Sequence, residues 1–159
     1  MKSFNIGDLR IPVPIIQGGM GIGISLSGLA SAVSNMGGIG VISTVGIGFI
    51  KTQYSTNMRK NHIEAIRQEI RQAKELTTRI LGVNIMSVLT NFSDVVKASI
   101  EEGIDIIFSG AGLPLDLPKY IDKGFKTKLD GFAFTVTNVG QIKGISTVKN
   151  VFNDLRKNS

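Results

Sequence analysis

The chain carries short continuous apolar runs that alternate with stretches in which apolar residues recur every three or four positions. The first pattern is typical of buried parallel strands, and the second is typical of the helices that cover them. The predicted strands are residues 11–17, 39–44, 79–86 and 104–108. The predicted helices are residues 26–36, 57–76, 94–102 and 113–121. Four strand-then-helix units in succession predict an α/β fold with a parallel sheet and right-handed crossovers.

Two architectures fit this order of elements: an open doubly wound sheet and a (β/α) barrel. In both, ligands bind at the carboxyl ends of the strands. The segments that follow the four predicted strands are therefore the candidate functional positions. They are residues 17–23, 43–48, 84–87 and 109–112.

The last part of the chain departs from this alternation. Residues 131–136 have the pattern of one more strand, and Thr147 opens a predicted amphipathic helix. The apolar side of that helix is formed by Val148, Val151, Phe152 and Leu155. We therefore expect one domain over residues 1–159, with four units in residues 1–128 and a strand–helix tail in residues 129–159.

Composition and charge exclude several classes of function but do not identify one. The net charge is +6, from 18 basic and 12 acidic residues, but the basic residues are spread along the chain without a nucleic-acid-binding motif. We expect no nucleic-acid partner. The chain has no cysteine, which excludes a disulfide scaffold, a thiolate nucleophile and a cysteine-ligated metal. This composition fits a cytoplasmic location, which is the one we expect.

Residues 11–50 contain no charged side chain, so a membrane span has to be considered. A span needs about 20 mostly apolar residues in a row. Here Pro12, Pro14, Gln17 and several glycines interrupt the run. A buried strand, helix and strand explain the same stretch, and no membrane association is predicted.

Glycine dominates the turn between the first predicted strand and helix, at Gly18, Gly19, Gly21 and Gly23. Glycine lets a ligand approach the backbone, and it is equally the residue of tight turns. The dinucleotide-binding pattern G-x-G-x-x-G is not met, because Ile24 occupies its last position. The acidic residue expected about 20 residues further on is also missing.

Three polar features each have a functional and a structural interpretation. Asn84 lies at the end of an apolar strand, where its amide can meet a ligand or bond a neighbouring loop. Residues 109–112, Ser-Gly-Ala-Gly, can line a pocket or only turn the chain. His62 is the only histidine, and it lies among charged residues of a predicted helix, which indicates a lone surface side chain. No catalytic residue and no metal site is assigned.

Two segments resemble the opening of the nitronate monooxygenase (2-nitropropane dioxygenase-like) family, which also includes FMN-dependent enoyl-acyl-carrier-protein reductases. They are residues 14–21, Pro-Ile-Ile-Gln-Gly-Gly-Met-Gly, and residues 29–40, which end in Met-Gly-Gly-Ile-Gly. Residues 81–86 and 109–114 resemble the ends of that family's third and fourth strands, in the same order and spacing. The resemblance covers residues 11–128.

The resemblance implies a TIM-type barrel that binds FMN without a covalent link. Gly19, Met20 and Gly21 would lie beside the isoalloxazine ring, and Asn84 would hydrogen-bond it. The implied reaction is the oxidation of an alkyl nitronate by oxygen to a carbonyl compound and nitrite. In the enoyl reductase branch the flavin instead passes a hydride from NAD(P)H to an acyl chain.

Two parts of the family pattern have no counterpart in this sequence. One is a Gly-Gly-His motif whose histidine is the usual candidate base, and the other is a set of later glycine-rich turns that hold the FMN phosphate. Residues 129–159 resemble the family's C-terminus, so a front half meets a tail near residues 128–131. A TIM barrel typically needs about 250 residues, and we therefore expect a partial barrel.

A partial barrel of this kind has consequences for binding and assembly. We expect weak or absent FMN binding, no nitronate oxidation, and self-association through open sheet edges. A non-catalytic half-barrel is the alternative to an enzyme.

Overall fold

The computed structural model describes residues 1–51, 57–112, 115, 117, 119 and 147–157. Within these residues the chain forms an antiparallel hairpin, a three-stranded parallel sheet and the helices that pack on it. The strands are β1 (Phe4–Ile6), β2 (Leu9–Ile11), β3 (Gly40–Ser43), β4 (Leu81–Met86) and β5 (Ile106–Gly110). The helices are α1 (Ser27–Asn35), α2 (Ile47–Lys51), α3 (Met58–Leu76), α4 (Phe92–Glu101) and α5 (Val148–Lys157).

The sheet has the order β3-β4-β5, and all of its pairings are parallel. Helices α3 and α4 form the crossovers, so consecutive strands lie side by side as they do in a barrel. The first predicted strand joins β3 through one parallel bridge, between Ile16 and Ile39. The predicted partial barrel is therefore confirmed, with its first strand reduced to a bridge.

Alternate residues of the strands face opposite sides of the sheet, because side chains alternate along a strand. Ile42 and Val83 belong to the core beneath the helices. Val41, Ile106 and Phe108 belong to a second cluster, which the β1–β2 hairpin covers. We call the two sides the outer face and the inner face of the sheet.

The outer face carries the main hydrophobic core, formed with α1, α3 and α4. Helix α1 also depends on a polar contact from a neighbouring helix. Its N-cap residue, Leu26, makes no side-chain capping bond. Instead the carboxylate of Glu69 on α3, only 3% exposed, accepts the backbone N–H of Ser27 at 2.8 Å. A carboxylate is stabilising there because the N-terminal N–H groups of a helix are positively polarised.

The prediction of a strand over residues 11–17 was wrong in its extent. Pro12 and Pro14 have no N–H group and cannot take part in a continuous ladder. Ile11 instead ends β2, where it pairs with Phe4 in the antiparallel hairpin. That hairpin was not predicted from the sequence. Main-chain pairing with β3 is confined to the bridge that starts at Ile15.

Two further segments differ from or complete the sequence prediction. Residues 47–51 form helix α2, where the glycines at 46 and 48 had predicted a loop. Helix α5 begins as predicted, because the Thr147 hydroxyl accepts the N–H of Asn150 at 3.2 Å. Of its predicted apolar side, Phe152 is buried, while Val151 and Leu155 are each 43% exposed.

Other predictions fall on residues without a description. The strand at residues 131–136 and the junction near residues 128–131 lie outside the described residues, as does most of the helix at residues 113–121. Within the described ranges, no helix is both long enough and apolar enough to cross a membrane.

Candidate functional site

A cavity of about 470 Å³ opens on the inner face, at the carboxyl ends of β3, β4 and β5. This is the end of a parallel sheet at which α/β proteins bind their ligands. The four segments predicted to be functional all contribute to its wall. The lining residues are Ile16, Gln17, Gly18, Gly19, Met20, Gly21, Ile22, Val41, Ser43, Val45, Asn84, Met86, Phe108, Ser109, Gly110 and Ala111.

The glycine-rich segment lies flat against the inner face of the sheet. A Cβ at Gly19 would lie 2.5 Å from Cγ1 of Val41 and 2.9 Å from Cβ of Asn84, so no larger residue fits there without displacement. Gly21 has φ of +86°, a conformation that side chains with a Cβ rarely adopt. Glycine is thus required at both positions, and the backbone itself forms this part of the cavity wall.

Asn84 joins this wall to the sheet. Its Nδ2 donates to the Gly19 carbonyl oxygen at 2.7 Å. Its own backbone oxygen accepts both the N–H and the hydroxyl of Thr44, at 3.2 and 2.8 Å. Its Oδ1 has no hydrogen-bond partner among the described residues, so the acceptor end of the amide is available to a ligand. The structural interpretation of Asn84 is confirmed by its bond to Gly19, and its role toward a ligand stays a prediction.

Gln17 replaces main-chain pairing at the point where the chain leaves the sheet. Its Oε1 accepts the N–H of Val41 at 3.1 Å, and its Nε2 lies 3.1 Å from the Val41 carbonyl oxygen. The same Nε2 is 2.9 Å from Oγ of Ser25, a residue that is only 2% exposed. The Ser25 hydroxyl donates to the Met20 carbonyl oxygen at 2.8 Å. Ser25 was not singled out from the sequence, because a serine in a glycine-rich turn has no distinctive spacing.

Residues 109–112 both turn the chain and line the cavity. Ala111 has φ of 56°, in the left-handed region that usually selects glycine. The Ser109 hydroxyl is 2.9 Å from that of Ser87, and the Ser87 N–H donates to the Gly110 carbonyl oxygen at 2.8 Å. These bonds hold the ends of β4 and β5 together at the cavity mouth.

His62 is not the lone surface residue that the sequence predicted. It is half-buried on α3, with Nε2 2.6 Å from the Thr44 carbonyl oxygen and Nδ1 2.8 Å from Nδ2 of Asn91. A carbonyl only accepts and an amide nitrogen only donates, so the ring carries its proton on Nε2. Gly48 of α2 packs against the His62 backbone. His62 therefore fixes the turn after β3 and does not belong to the lining set.

The lining of the cavity contains no charged or titratable side chain. The described ion pairs lie on the outer helices instead, where Arg67 and Arg71 of α3 meet Glu101 and Glu102 at the C-terminal end of α4. The hydrogen bond from Arg71, reinforced by Arg67, holds the pKa of Glu102 below its usual range. In the described ranges no cluster of histidine and acidic residues could hold a metal ion. The described cavity can bind an uncharged, largely apolar group and can hydrogen-bond its edge, but none of its described lining residues is a titratable acid or base.

Comparison with known proteins adds the family. A family model described as nitronate monooxygenase matches residues 2–116. The chain belongs to the nitronate monooxygenase family. A comparison with curated proteins found no match.

Two solved structures of FabK from Thermotoga maritima, one of them a mutant, are similar to this member of the family. Each is 29% identical and covers 71% of this chain, with TM-scores of 0.58 and 0.55. The chain covers 32% and 33% of those FabK chains, so it spans about a third of their length. The resemblance seen in the sequence is therefore confirmed at the level of family and fold.

Proposed function

We propose that the cavity is the ring-side half of an FMN site in an oxidoreductase of the nitronate monooxygenase family, whose substrate class is alkyl nitronates. The observation that carries the proposal is the Gly19–Asn84 pair at the carboxyl edge of the sheet. At Gly19 the cavity wall is formed by the backbone alone. Asn84 is bonded to this backbone through Nδ2, and its Oδ1 has no partner among the described residues. Family membership and the FabK neighbours support an FMN-dependent oxidoreductase.

The residues of the cavity fit a flavin ring. The side chains that face the space for a planar ring are apolar, chiefly Met86 and Phe108. The N–H groups of Gly19 and Gly21 have no partner among the described residues, so they can donate to the ring edge. Such an arrangement, apolar with a few converging polar groups, is typical of cofactor pockets.

The same site does not fit the phosphate of FMN. No lining residue is cationic. The nearest helix N-terminus along the chain, that of α1, is occupied by the Glu69 carboxylate, which would repel a second anion. This contact also disfavours a dinucleotide site of the Rossmann type, in which the pyrophosphate sits at that helix end. The described residues therefore account for ring contacts only.

When bound, FMN supplies the electron-accepting and electron-donating chemistry of the family. The contribution of this chain is to bind and orient. Asn84 and the Gly19–Gly21 backbone would hold the ring edge, and the apolar lining would exclude water from its faces. No described residue in the cavity can take a proton from a substrate, and His62 has both ring nitrogens engaged outside it. The catalytic residue stays unassigned.

A second candidate is the enoyl reductase branch of the family, and the apolar rim of the cavity favours it. Met20 is 59% exposed and Ile22 is 60% exposed at the mouth, where they would suit an acyl chain. The two activities are separated by comparing alkyl nitronate oxidation with NADH-driven reduction of an enoyl thioester, in this chain and in a longer relative. Nitronate turnover without thioester reduction supports the first candidate, and the reverse supports the second.

The binding test is an FMN titration of the purified chain, followed by flavin fluorescence. We expect a protein that is colourless as purified and binds FMN weakly, because ring contacts alone must offset the loss of translational and rotational freedom. Asn84→Ala should weaken binding a further ~3- to 10-fold, which is the typical value of one hydrogen bond. Asn5→Ala, on the exposed side of β1, is the control and should change nothing.

Two results would contradict parts of this account. Tight, stoichiometric FMN with nitronate turnover would contradict the expected weak binding and would show that a phosphate anchor and a base exist beyond the described cavity. Equal FMN affinities for the wild-type chain and Asn84→Ala would remove Asn84 from the site.

A further inference from the structure

We infer that Gln17 is a positioning residue, whose side-chain amide takes the place of a backbone peptide and thereby turns the Gly19 N–H toward the cavity. The replacement of a backbone peptide by the Gln17 amide is argued from the hydrogen bonds around β3. Its consequence for flavin binding rests on the function proposed above.

Residues 15–17 pair with Ile39, directly before β3, in the manner of a parallel ladder. The N–H of Ile39 donates to the Ile15 carbonyl oxygen at 2.9 Å, and the N–H of Gln17 donates to the Ile39 carbonyl oxygen at 3.0 Å. In a regular parallel ladder the next rung would bind Val41. Its N–H would go to the main-chain oxygen of Gln17, and its carbonyl oxygen would accept from the N–H of Gly19.

The Gln17 side chain makes that rung instead. Oε1 accepts the Val41 N–H and Nε2 lies within hydrogen-bond distance of the Val41 oxygen, each at 3.1 Å. The orientation of the amide is fixed, because Val41 presents one donor and one acceptor and only one arrangement satisfies both. The backbone N–H and the carbonyl oxygen of Val41 are thus both paired with a side chain, and neither needs the main chain of residues 17–19. The N–H of Gly19 is released from the sheet.

Ser25 fixes the released segment from its other side. Its buried hydroxyl lies 2.9 Å from Nε2 of Gln17 and 2.8 Å from the Met20 carbonyl oxygen, and it accepts the Met20 N–H at 3.2 Å. Gln17 Nε2 is also 3.1 Å from the Gly18 oxygen. The two side chains therefore determine how the peptides at 18–20 are turned. Only glutamine combines the reach, the acceptor and the donor that this network needs.

The experiment compares Gln17→Met, which keeps the length and removes the polar atoms, with Gln17→Glu, which keeps the acceptor and removes the donor. Gln72→Met, on the exposed side of α3, is the matched control. Hydrogen exchange is measured on the full chain without flavin, over the Val41 amide and peptides that cover residues 18–25. FMN titration and thermal unfolding are measured on the same samples.

We expect exchange at Val41 and over residues 18–25 to accelerate at least ~10-fold in Gln17→Met, because the Val41 N–H loses its acceptor. We expect FMN affinity to fall by a similar factor. In Gln17→Glu, lowering the pH from 7.5 to 5 should restore part of both losses relative to wild type at the same pH. An introduced carboxylic acid has an ordinary pKa of about 4.3, so a larger fraction is protonated at pH 5 than at pH 7.5, and the protonated acid can donate again. Gln17→Met should show no such recovery.

The outcomes separate this inference from the proposed function. Wild-type exchange at Val41 and over residues 18–25 in Gln17→Met would overturn the inference, whatever FMN does. Faster exchange with an unchanged FMN affinity would limit Gln17 to a structural role and overturn its positioning role. No FMN binding by the wild-type chain would contradict the proposed function. The exchange data and the pH-dependent recovery in Gln17→Glu would then still decide whether Gln17 orders the segment.

Discussion

The two faces of the β3–β4–β5 sheet differ in how they are covered. On the outer face, α1, α3 and α4 bury a continuous aliphatic core in which residues such as Ile66, Ile70 and Val83 are fully inaccessible. On the inner face, the described residues form a smaller apolar cluster, Ile11, Ile39 and Val41, beneath a short hairpin, and the carboxyl end of the face opens into the cavity.

This difference separates stability from function within one sheet. Alternation along β4 sends Leu81, Val83 and Ile85 outward and Gly82, Asn84 and Met86 inward. The outer face contributes most of the buried apolar area, and the inner face leaves room for a ligand. The cost is an inner surface that stays partly open to solvent. The predictions below test this division, from the largest expected effect to the smallest.

The strongest test is a pair of matched truncations, one on each face. Ile70→Ala removes a fully buried side chain from the outer core and should destabilise the chain by about 2–5 kcal/mol. Ile106→Ala removes a half-buried side chain from the inner face and should cost about 1 kcal/mol or less, because part of its surface is already hydrated. Urea unfolding measures both. Equal losses would show that the two faces contribute equally to stability.

The open inner face should also determine assembly. Among the described strands, β5 pairs only with β4, and Ile22 and Val88 are exposed near the cavity mouth. We propose that the chain self-associates, which light scattering over a dilution series would reveal. Ile22→Ser should shift the series toward monomer, whereas Val151→Ser on α5 should not. A monomer at every concentration would contradict this proposal.

A smaller loss of stability is expected when the contact between Glu69 of α3 and the first turn of α1 is removed. Glu69→Ala removes the acceptor for the Ser27 N–H and should cost about 1–2 kcal/mol, the usual value of a helix cap. Glu69→Gln should cost less, since an amide oxygen still accepts. Glu75→Ala, exposed on the same helix, is the control for thermal unfolding. A loss in the control as large as that of Glu69→Ala would rule out capping as the cause.

The smallest effect belongs to the ion pairs between α3 and α4. The pKa of Glu102 is lowered in the folded chain, chiefly by its hydrogen bond from Arg71. Its contribution is therefore complete above about pH 4.5, its ordinary value, and is lost as the pH falls through the lower folded pKa. Glu102→Gln should destabilise the chain by roughly 1 kcal/mol or less at pH 7, and the difference from wild type should vanish in acid. A difference that persists below both pKa values would mean that packing, not charge, is lost.

Much of the fold follows from periodicity. The apolar runs at β3, β4 and β5 and the repeat along α3 were predicted within a few residues, because continuous apolar strands and long amphipathic helices have distinct patterns. The first strand was overextended, because the apolar run was given more weight than Pro12 and Pro14, which cannot donate to a ladder. The β1–β2 hairpin was missed because its strands are only three residues long.

The candidate site was predicted at positions where a short sequence pattern indicates the role of a residue. Glycine between a strand and a helix, and an amide at the end of an apolar strand, indicated Gly19, Gly21 and Asn84, and all three residues line the cavity. Their role toward FMN stays a prediction. Ser25 and His62 could not be interpreted correctly from the sequence, because their partners are brought to them by the crossovers and by the packing of α2 on α3.

The sequence by itself determined the family, the alternation of strands and helices, and the glycines that a close backbone approach demands. These are properties of single positions and short spacings, which the order of residues records directly. Only the tertiary structure decided that the Gln17 amide replaces a peptide of the ladder, and that a carboxylate from α3 caps α1. These hydrogen bonds join residues 24 and 42 positions apart. They depend on which strands pair and which helices pack together, and no local pattern specifies that.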